Sequence, residues 1–523
     1  MAYLNFVLHA HLPFVRHPEH ERFLEEEWLF EAITETYIPL LCEFETLTKE
    51  NIPFRLTMSL TPTLCEMMAD ELLQTRYLNH INRLRELSEK ECARTKNDPR
   101  FCHLAAMYRN HFEKCYQKFT SLNRNLLAGF RTYQRSGNLE LITCGATHGF
   151  LPNLRQSQGS VEAQVEVGIR NFQKHFQIDP LGIWLPECGY YPGLDAILKK
   201  AGLKYFFTDA HSLNQGKPPP PQGCYAPVET PAGLFCFARD PESSKAVWSA
   251  EEGYPGDIRY REFYRDIGFD LDLSYVRPYI HPMGFRTNTG IKYHRITGKD
   301  PKEPYVLSQA MEAVEQHAAH FYEQRLLQAA TLDAQSDGHA HILCPYDAEL
   351  FGHWWHEGPM WLGAVLRRAS GKSSKLIVAT PKDYLQTNPS PCRSEPAFSS
   401  WGAEGYADMW LNETNDWIYP HLHRAGDLMR EIAGLPESGA WHHRTRNQMA
   451  RELLLAQSSD WAFIMKTGTM VQYAVKRTKV HLHHFLELYW QQREDRIDET
   501  FLNHLEATDN LFPEIDYRIY ARS

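Results

Sequence analysis

Leu181-Gly182-Ile183-Trp184-Leu185-Pro186-Glu187-Cys188-Gly189 runs from apolar residues through a proline to a carboxylate. The pattern recurs along the chain. Tyr3–Leu8 leads into His9-Ala10-His11-Leu12-Pro13, and Leu139–Thr143 leads into Cys144-Gly145-Ala146-Thr147-His148-Gly149. Lys204–Thr208 is followed by Asp209-Ala210-His211, and Leu234–Phe237 by Ala238-Arg239-Asp240. His341–Cys344 continues into Pro345-Tyr346-Asp347-Ala348-Glu349, while Phe54–Leu60 and Leu376–Ala379 stop at Thr61-Pro62 and Thr380-Pro381. Near-continuous apolar runs of this length suit parallel strands covered on both faces. Their alternation with helical segments predicts an α/β architecture. Strands that end in ionisable residues place those groups along one edge, where barrels collect reactive side chains.

Around this rhythm lie two helical stretches. Leu73, Tyr77, Ile81, Leu84 and Leu87 share one helical face, and Tyr108, Phe112, Cys115, Phe119, Leu122 and Leu126 share another. Asp98-Pro99 reads as an N-cap followed by proline at the first helical position. Beyond residue 395 the periodicity is helical again. The expected division is an α/β unit over 1–63 and 137–394, a helical insertion over 64–136 and a helical C-terminal domain over 395–523. Residues 214–304 carry aromatics with little periodicity, as lids or binding walls do.

Composition narrows the function. The 523 residues are 43% hydrophobic and 23% charged, which fits a globular protein. With 55 basic and 65 acidic residues the net charge is −10, so no nucleic-acid partner is expected. A mean hydropathy of −0.48, and no apolar run of about 18 residues, argue against a membrane span. Met1–Pro13 has no basic segment before its apolar run, so no secretory signal is expected. The 11 cysteines form no CxxC pair and fit buried thiols in a reducing compartment. The expected location is the cytoplasm. The 26 Tyr and 12 Trp suit a ligand with flat apolar faces and hydroxyl edges.

Several residues are placed to do chemistry. Glu187 and Asp347 each follow an apolar strand and a nearby proline. Two such carboxylates are the pair a glycosidase needs, one as nucleophile and one as acid/base. The plainer alternative is that each caps a following helix. His9 and His11, spaced i, i+2 on a strand, face one side. They read as a metal pair, as donors to sugar hydroxyls, or as polar residues at the rim of a core. Glu349 stands four residues before His353 and could orient it; metal ligation by His353 and His356 is a second reading. Trp28, Trp401 and Trp410 sit beside polar residues and are candidate stacking platforms for a sugar ring, against ordinary burial as the alternative.

Taken together, the five ordered segments His9–Pro13, Ala146–Gly149, Trp184–Tyr190, Pro345–Trp355 and Trp401–Trp417 resemble the motifs of glycoside hydrolase family 57. Within that family, Trp401-Gly402-Ala403-Glu404-Gly405 and Ser458-Ser459-Asp460-Trp461 look like the 1,4-α-glucan branching enzymes. The resemblance implies a distorted (β/α)7 barrel with a helical insertion and an all-helical C-terminal domain. It implies Glu187 as nucleophile, Asp347 as general acid/base, and His11, His148 and His353 around the attacked sugar. Arg261, Arg265, Gly284, Trp401 and Asp460 match stretches that line a glucan cleft. Where relatives often carry Gln after Asp460, this chain reads Lys466-Thr467-Gly468-Thr469, with Thr469 as the position assigned to the glucan.

The expected activity is retaining cleavage of an α-1,4-glucan and transfer of the chain to a 6-hydroxyl, with no metal and no other cofactor. An α-amylase or 4-α-glucanotransferase of the same family is the alternative. A metal-dependent deacetylase or amidohydrolase built on His9, His11 and His148 is a further one, although it leaves Glu187 without a role.

Overall fold

The strands expected from the apolar runs form one curled sheet. They are β1 (Ala2–Ala10), β2 (Leu56–Leu60), β3 (Leu139–Cys144), β4 (Gly182–Trp184), β5 (Tyr205–Thr208), β6 (Val228–Glu229), β7 (Phe235–Ala238), β8 (His341–Asp347) and β9 (Leu376–Val378). This computed structural model describes residues 2–249, 252–336, 340–371, 374–388, 391–436 and 439–522. The strand order is β6-β7-β5-β4-β3-β2-β1-β8, with β9 also paired to β1. Every ladder is parallel except that of the two-residue β6, which is too short to read from sequence. Between β7 and β8 the curl is bridged by the Asp240 N–H donating to the Leu343 carbonyl at 2.9 Å. The result is the distorted (β/α)7 barrel.

Strand alternation decides what the barrel encloses. On β1, Leu4, Phe6, Leu8 and Ala10 belong to the apolar layer under the helices, while Val7 joins Ile142, Trp184, Phe207, Phe237 and Leu343 in the interior. Burying each such side chain contributes roughly 1.5–3 kcal/mol. His9 lies on the inward face with Val7, two residues further along. The β1–β8 register sets Val7 opposite Pro345 and His9 opposite Asp347. A histidine and a carboxylate therefore enter the interior side by side at the C-terminal edge.

Helices Pro62–Ala69, Glu71–Arg94, Cys102–Ser121 and Leu126–Arg135 fill the stretch between β2 and β3. The third starts three residues later than Asp98-Pro99 suggests, because the Asp98 side chain accepts from the Arg100 N–H and is spent on a turn. Glu91, fully buried, accepts from the Tyr275 and Tyr293 hydroxyls and so pins the 214–304 segment onto this layer. Within that segment the buried Asp266 accepts from the backbone of Gly268, Thr289 and Gly290 and from the Thr289 hydroxyl. One carboxylate thus satisfies a turn that has few apolar residues to hold it. At the C-terminal side, helices Ile418–Ala433, Ala440–Ala456, Ser459–Thr467, Val471–Glu494 and Glu499–Thr508 pack on the barrel's open edge.

One local feature shapes the site. The helical run Glu26–Lys49 contains a π-helical turn, Ile33–Tyr37. Such a turn widens the helix and is common at functional sites. The segment after β8 crosses it closely: Gly352 has φ +105°, and a Cβ there would lie 1.8 Å from the Glu35 carbonyl oxygen. Gly352→Ala is therefore expected to cost at least about 3 kcal/mol, through overpacking and a left-handed backbone together. Gly298→Ala, at φ +57° with open space around it, should cost only about 1 kcal/mol. Thermal midpoints of the two variants measured side by side check this, and equal losses would contradict it.

Candidate active site

Glu187 follows β4 on a 3-10 turn over Pro186–Cys188, in a left-handed conformation at φ +61°. A non-glycine residue there carries strain that the surroundings must hold. Neither Glu187 nor Asp347 makes a side-chain cap to its short helix, so capping does not account for them. Instead Glu187 Oε2 accepts from Trp401 Nε1 and Oε1 accepts from the Ser459 hydroxyl, both at 3.0 Å. The Trp401 backbone N–H also donates to the Glu187 carbonyl. Burial lifts the Glu187 carboxyl to about 7, opposed by the Trp401 hydrogen bond. Asp347 is held well above the usual carboxylate range by burial, then by the neighbouring Glu349 and Glu187.

The histidines form a directed chain. Ser459 donates to Glu187, so its oxygen is left to accept from His148 Nδ1 at 2.9 Å. His148 Nε2 must then accept from His9 Nε2 at 3.0 Å, and His9 Nδ1 from the Ser59 hydroxyl at 3.3 Å. This order requires both rings to be neutral. Burial and mutual repulsion hold both well below the usual histidine range, as the order requires. His148, like Glu187, is left-handed at φ +59°. His9 lies stacked between its neighbour rings, 4.7 Å from Trp184 and 5.0 Å from His148.

His11 belongs to a different arrangement, paired with a carboxylate. Its Nε2 meets Asp460 at 3.0 Å, its Nδ1 meets the Thr61 hydroxyl at 3.1 Å, and its ring stacks 3.8 Å from His148. Burial works against its charge, yet Asp460 outweighs burial and raises it; reciprocally, Asp460 is held down to about 2. Glu349 accepts from the His11 N–H and from the Tyr37 hydroxyl, and burial lifts it to about 7. His353 is oriented not by Glu349 but by Glu35 of the π-helical turn, at 2.7 Å. Burial would raise Glu35, but the His353 hydrogen bond holds it at about 2.

His11, His148 and Asp460 have donor atoms within 4.8 Å of one another, as do His9, Cys144 and His148. The six ring nitrogens of His9, His11 and His148 all have hydrogen-bond partners within the protein. His356 lies apart from them, beside His111 and Tyr305.

The remaining residues singled out in the sequence are spread more widely. Arg261 is buried, donating to the His353 carbonyl and the Tyr108 hydroxyl, and so supports the site from behind. Arg265 pairs with Asp270 at the surface, and Gly284 is in an open turn at φ +87°. Trp28 is half-buried, edge-on to Tyr473. Thr469 is exposed, next to Thr467. Trp410 is 1% exposed and stacked on Phe150, so it offers no open face as a platform; ordinary burial is the correct reading there. Trp401 is a hydrogen-bond donor to Glu187, wedged edge-on against Trp184. The open aromatic surface comes from Trp354 of the Pro345–Trp355 stretch, 51% exposed and stacked on Phe263, and from Trp248, which was not singled out, edge-on to Trp401. Ser59, Thr61, Glu35 and Tyr37 were also missed, since a lone hydroxyl or a helical Glu and Tyr carries no pattern.

Comparison with known proteins agrees with this geometry. The family model described as glycosyl hydrolase family 57 matches residues 5–328, and the one described as 1,4-alpha-glucan branching enzyme, C-terminal, matches 421–520. The 1,4-alpha-glucan branching enzyme TK1436 of Thermococcus kodakarensis is 34% identical over 98% of this chain and 77% of its own. Among solved structures, the alpha-amylase AmyC of Thermotoga maritima superposes with a TM-score of 0.94 at 49% identity, covering 100% of this chain and 99% of that one. The GH57-type branching enzyme of Pyrococcus horikoshii gives 0.89 at 35% identity, covering 99% and 96%. The chain belongs to glycosyl hydrolase family 57.

Proposed function

We propose that this chain is a retaining 1,4-α-glucan branching enzyme. The observation that carries the reading is the origin of Ser459 and Asp460. Both lie within the stretch matching the branching-enzyme C-terminal model, and both reach the barrel site, Ser459 to Glu187 and Asp460 to His11. In the proposed mechanism Glu187 attacks the anomeric carbon while Asp347 protonates the leaving oxygen. Asp347, raised well above the usual carboxylate range by burial, suits the acid; Glu187, with two donors on its oxygens, suits the nucleophile. In the second step Asp347 takes the proton of an acceptor 6-hydroxyl, which adds to the glycosyl-enzyme. Water competes, so the acceptor must be bound and oriented. Trp354 and Trp248 supply open aromatic faces for that purpose, and His11, His353 and Asp460 supply polar contacts.

The role follows as branch formation in a glycogen- or starch-like glucan, and the 11 unpaired cysteines favour the cytoplasm. The domain division at 64–136 and 395–523 belongs to the same proposal. An α-amylase is the second reading, favoured by the 49% identity to AmyC. Incubation with amylose, followed by debranching and chain-length analysis, separates the two. New α-1,6 bonds in excess of new reducing ends support branching; reducing ends alone support the amylase.

Glu187→Gln keeps the shape of the side chain but cannot form the glycosyl-enzyme. Turnover of amylose is expected to fall by several orders of magnitude with the thermal midpoint little changed. Retained turnover would remove Glu187 from the nucleophile's role.

Trp401→Phe keeps a ring against Trp184 but deletes the donor to Glu187. That donor favours the ionised carboxylate, so its loss raises the Glu187 pKa further above about 7. The acid limb of kcat/KM, near pH 7 in the parent, should move up by roughly one to two pH units, the worth of a charged hydrogen bond. Activity is then lost most at pH 6 and least at pH 8. An unmoved limb would mean that the indole N–H does not set the charge of Glu187.

A further inference from the structure

Three helices of the C-terminal region converge on a second buried cluster, remote in sequence from the strand ends. Glu452 comes from Ala440–Ala456, His481 and His484 from Val471–Glu494, and Asp509 from the residue that closes Glu499–Thr508. One nitrogen or oxygen from each lies within 4.8 Å of the others. Glu452 and His481 are fully buried, Asp509 is 1% exposed, and the His484 side chain is 20% exposed.

Its hydrogen bonding contrasts with that of the barrel site. There both nitrogens of His9, His11 and His148 have partners; here His481 Nε2, His484 Nδ1 and Asp509 Oδ1 have none. A buried polar atom without a partner costs about 1–3 kcal/mol. Arg477 stands 3.7 Å from Asp509 Oδ1, too far for a hydrogen bond. Gln448 donates to Glu452 Oε1 at 2.8 Å, which fixes that carboxylate and leaves Oε2 facing the histidines. Such an outer contact is how metal-binding carboxylates are oriented.

We propose that Glu452, His481, His484 and Asp509 form a structural binding site for a divalent transition metal, zinc above all. Two imidazoles and two carboxylates are a donor set that zinc takes in four-coordinate sites. Bonds of about 2.1 Å require ligand atoms about 3.4 Å apart in a tetrahedron. His484 Nδ1 to Glu452 Oε2 is 3.4 Å, His484 Nδ1 to Asp509 Oδ2 is 3.8 Å and His481 Nδ1 to Asp509 Oδ2 is 4.0 Å. The direct His481–Glu452 contact, 2.7 Å, must open. Without a cation, two buried carboxylates share this volume, with Arg477 3.7 Å from Asp509. A bound dication gives His484 Nδ1 the partner it lacks and balances the charge of the two carboxylates. The metal would tie the three helices together, and the first of them runs directly into Ser459 and Asp460.

The test uses untagged full-length chain, stripped with a chelator and then given one equivalent of zinc or cobalt. Expected results are one metal per chain, a raised thermal midpoint with zinc, and the visible absorption of tetrahedral cobalt. His484→Gln, at the most exposed ligand, and the isosteric Glu452→Gln should each weaken binding by about tenfold or more and abolish the midpoint gain. A wild-type chain that takes up no metal overturns the proposal. So does metal retained by both variants but lost in Asp460→Asn, which would place it at the barrel histidines.

Discussion

Burial of the Glu187 carboxylate is the constraint on which this structure depends. A carboxylate at the end of a short strand, enclosed by Trp184 and Trp401, loses most of its hydration and is pushed toward neutrality. Only specific donors oppose that, and the barrel strands supply none of them directly. They come from Trp401 and Ser459, more than 200 residues later in the chain. The C-terminal helices are thus part of the electrostatics of the nucleophile as well as a wall beside it. The same dependence explains the left-handed turns at Glu187 and His148. Each is a local cost of about 1–3 kcal/mol held in place by contacts to the 458–460 segment.

Around Glu187, charge is sorted by partner. Burial and the neighbouring rings hold His9 and His148 well below the usual histidine range, whereas Asp460 raises His11. Three rings within stacking distance are therefore shifted in opposite directions. The β1–β8 register underlies this arrangement. By setting His9 opposite Asp347 it places a neutral ring, not a cation, beside the acid. A protonated His9 there would pull the Asp347 pKa down and compromise it as a proton donor.

Much of this was legible in the sequence because the strands are short apolar runs with chemistry at their ends. Eight of the nine strands among the described residues announce themselves in this way, and Glu187, Asp347, His9, His11 and His148 fall where a strand stops. The supporting residues were illegible for a physical reason. Glu26–Lys49 has the spacing of one continuous helix, and nothing in its periodicity betrays the π-helical turn that presents Glu35 and Tyr37. The tryptophans misled in the other direction. Trp410 and Trp401 have polar neighbours in sequence, but one stacks in the core and the other turns its N–H to Glu187. Polar neighbours in a loop do not say which way an indole points.

The descent of Ser459 and Trp401 from the far end of the chain has a consequence for how the protein comes into being. As the polypeptide leaves the ribosome, the barrel strands up to β8 emerge before the residues that enclose Glu187 and donate to it. A nascent or truncated barrel would hold its carboxyl without either donor in a half-made cleft. Competence to cut a glucan then arrives only when the C-terminal helices dock, so the same contacts that tune the nucleophile also certify that synthesis has passed through the whole site.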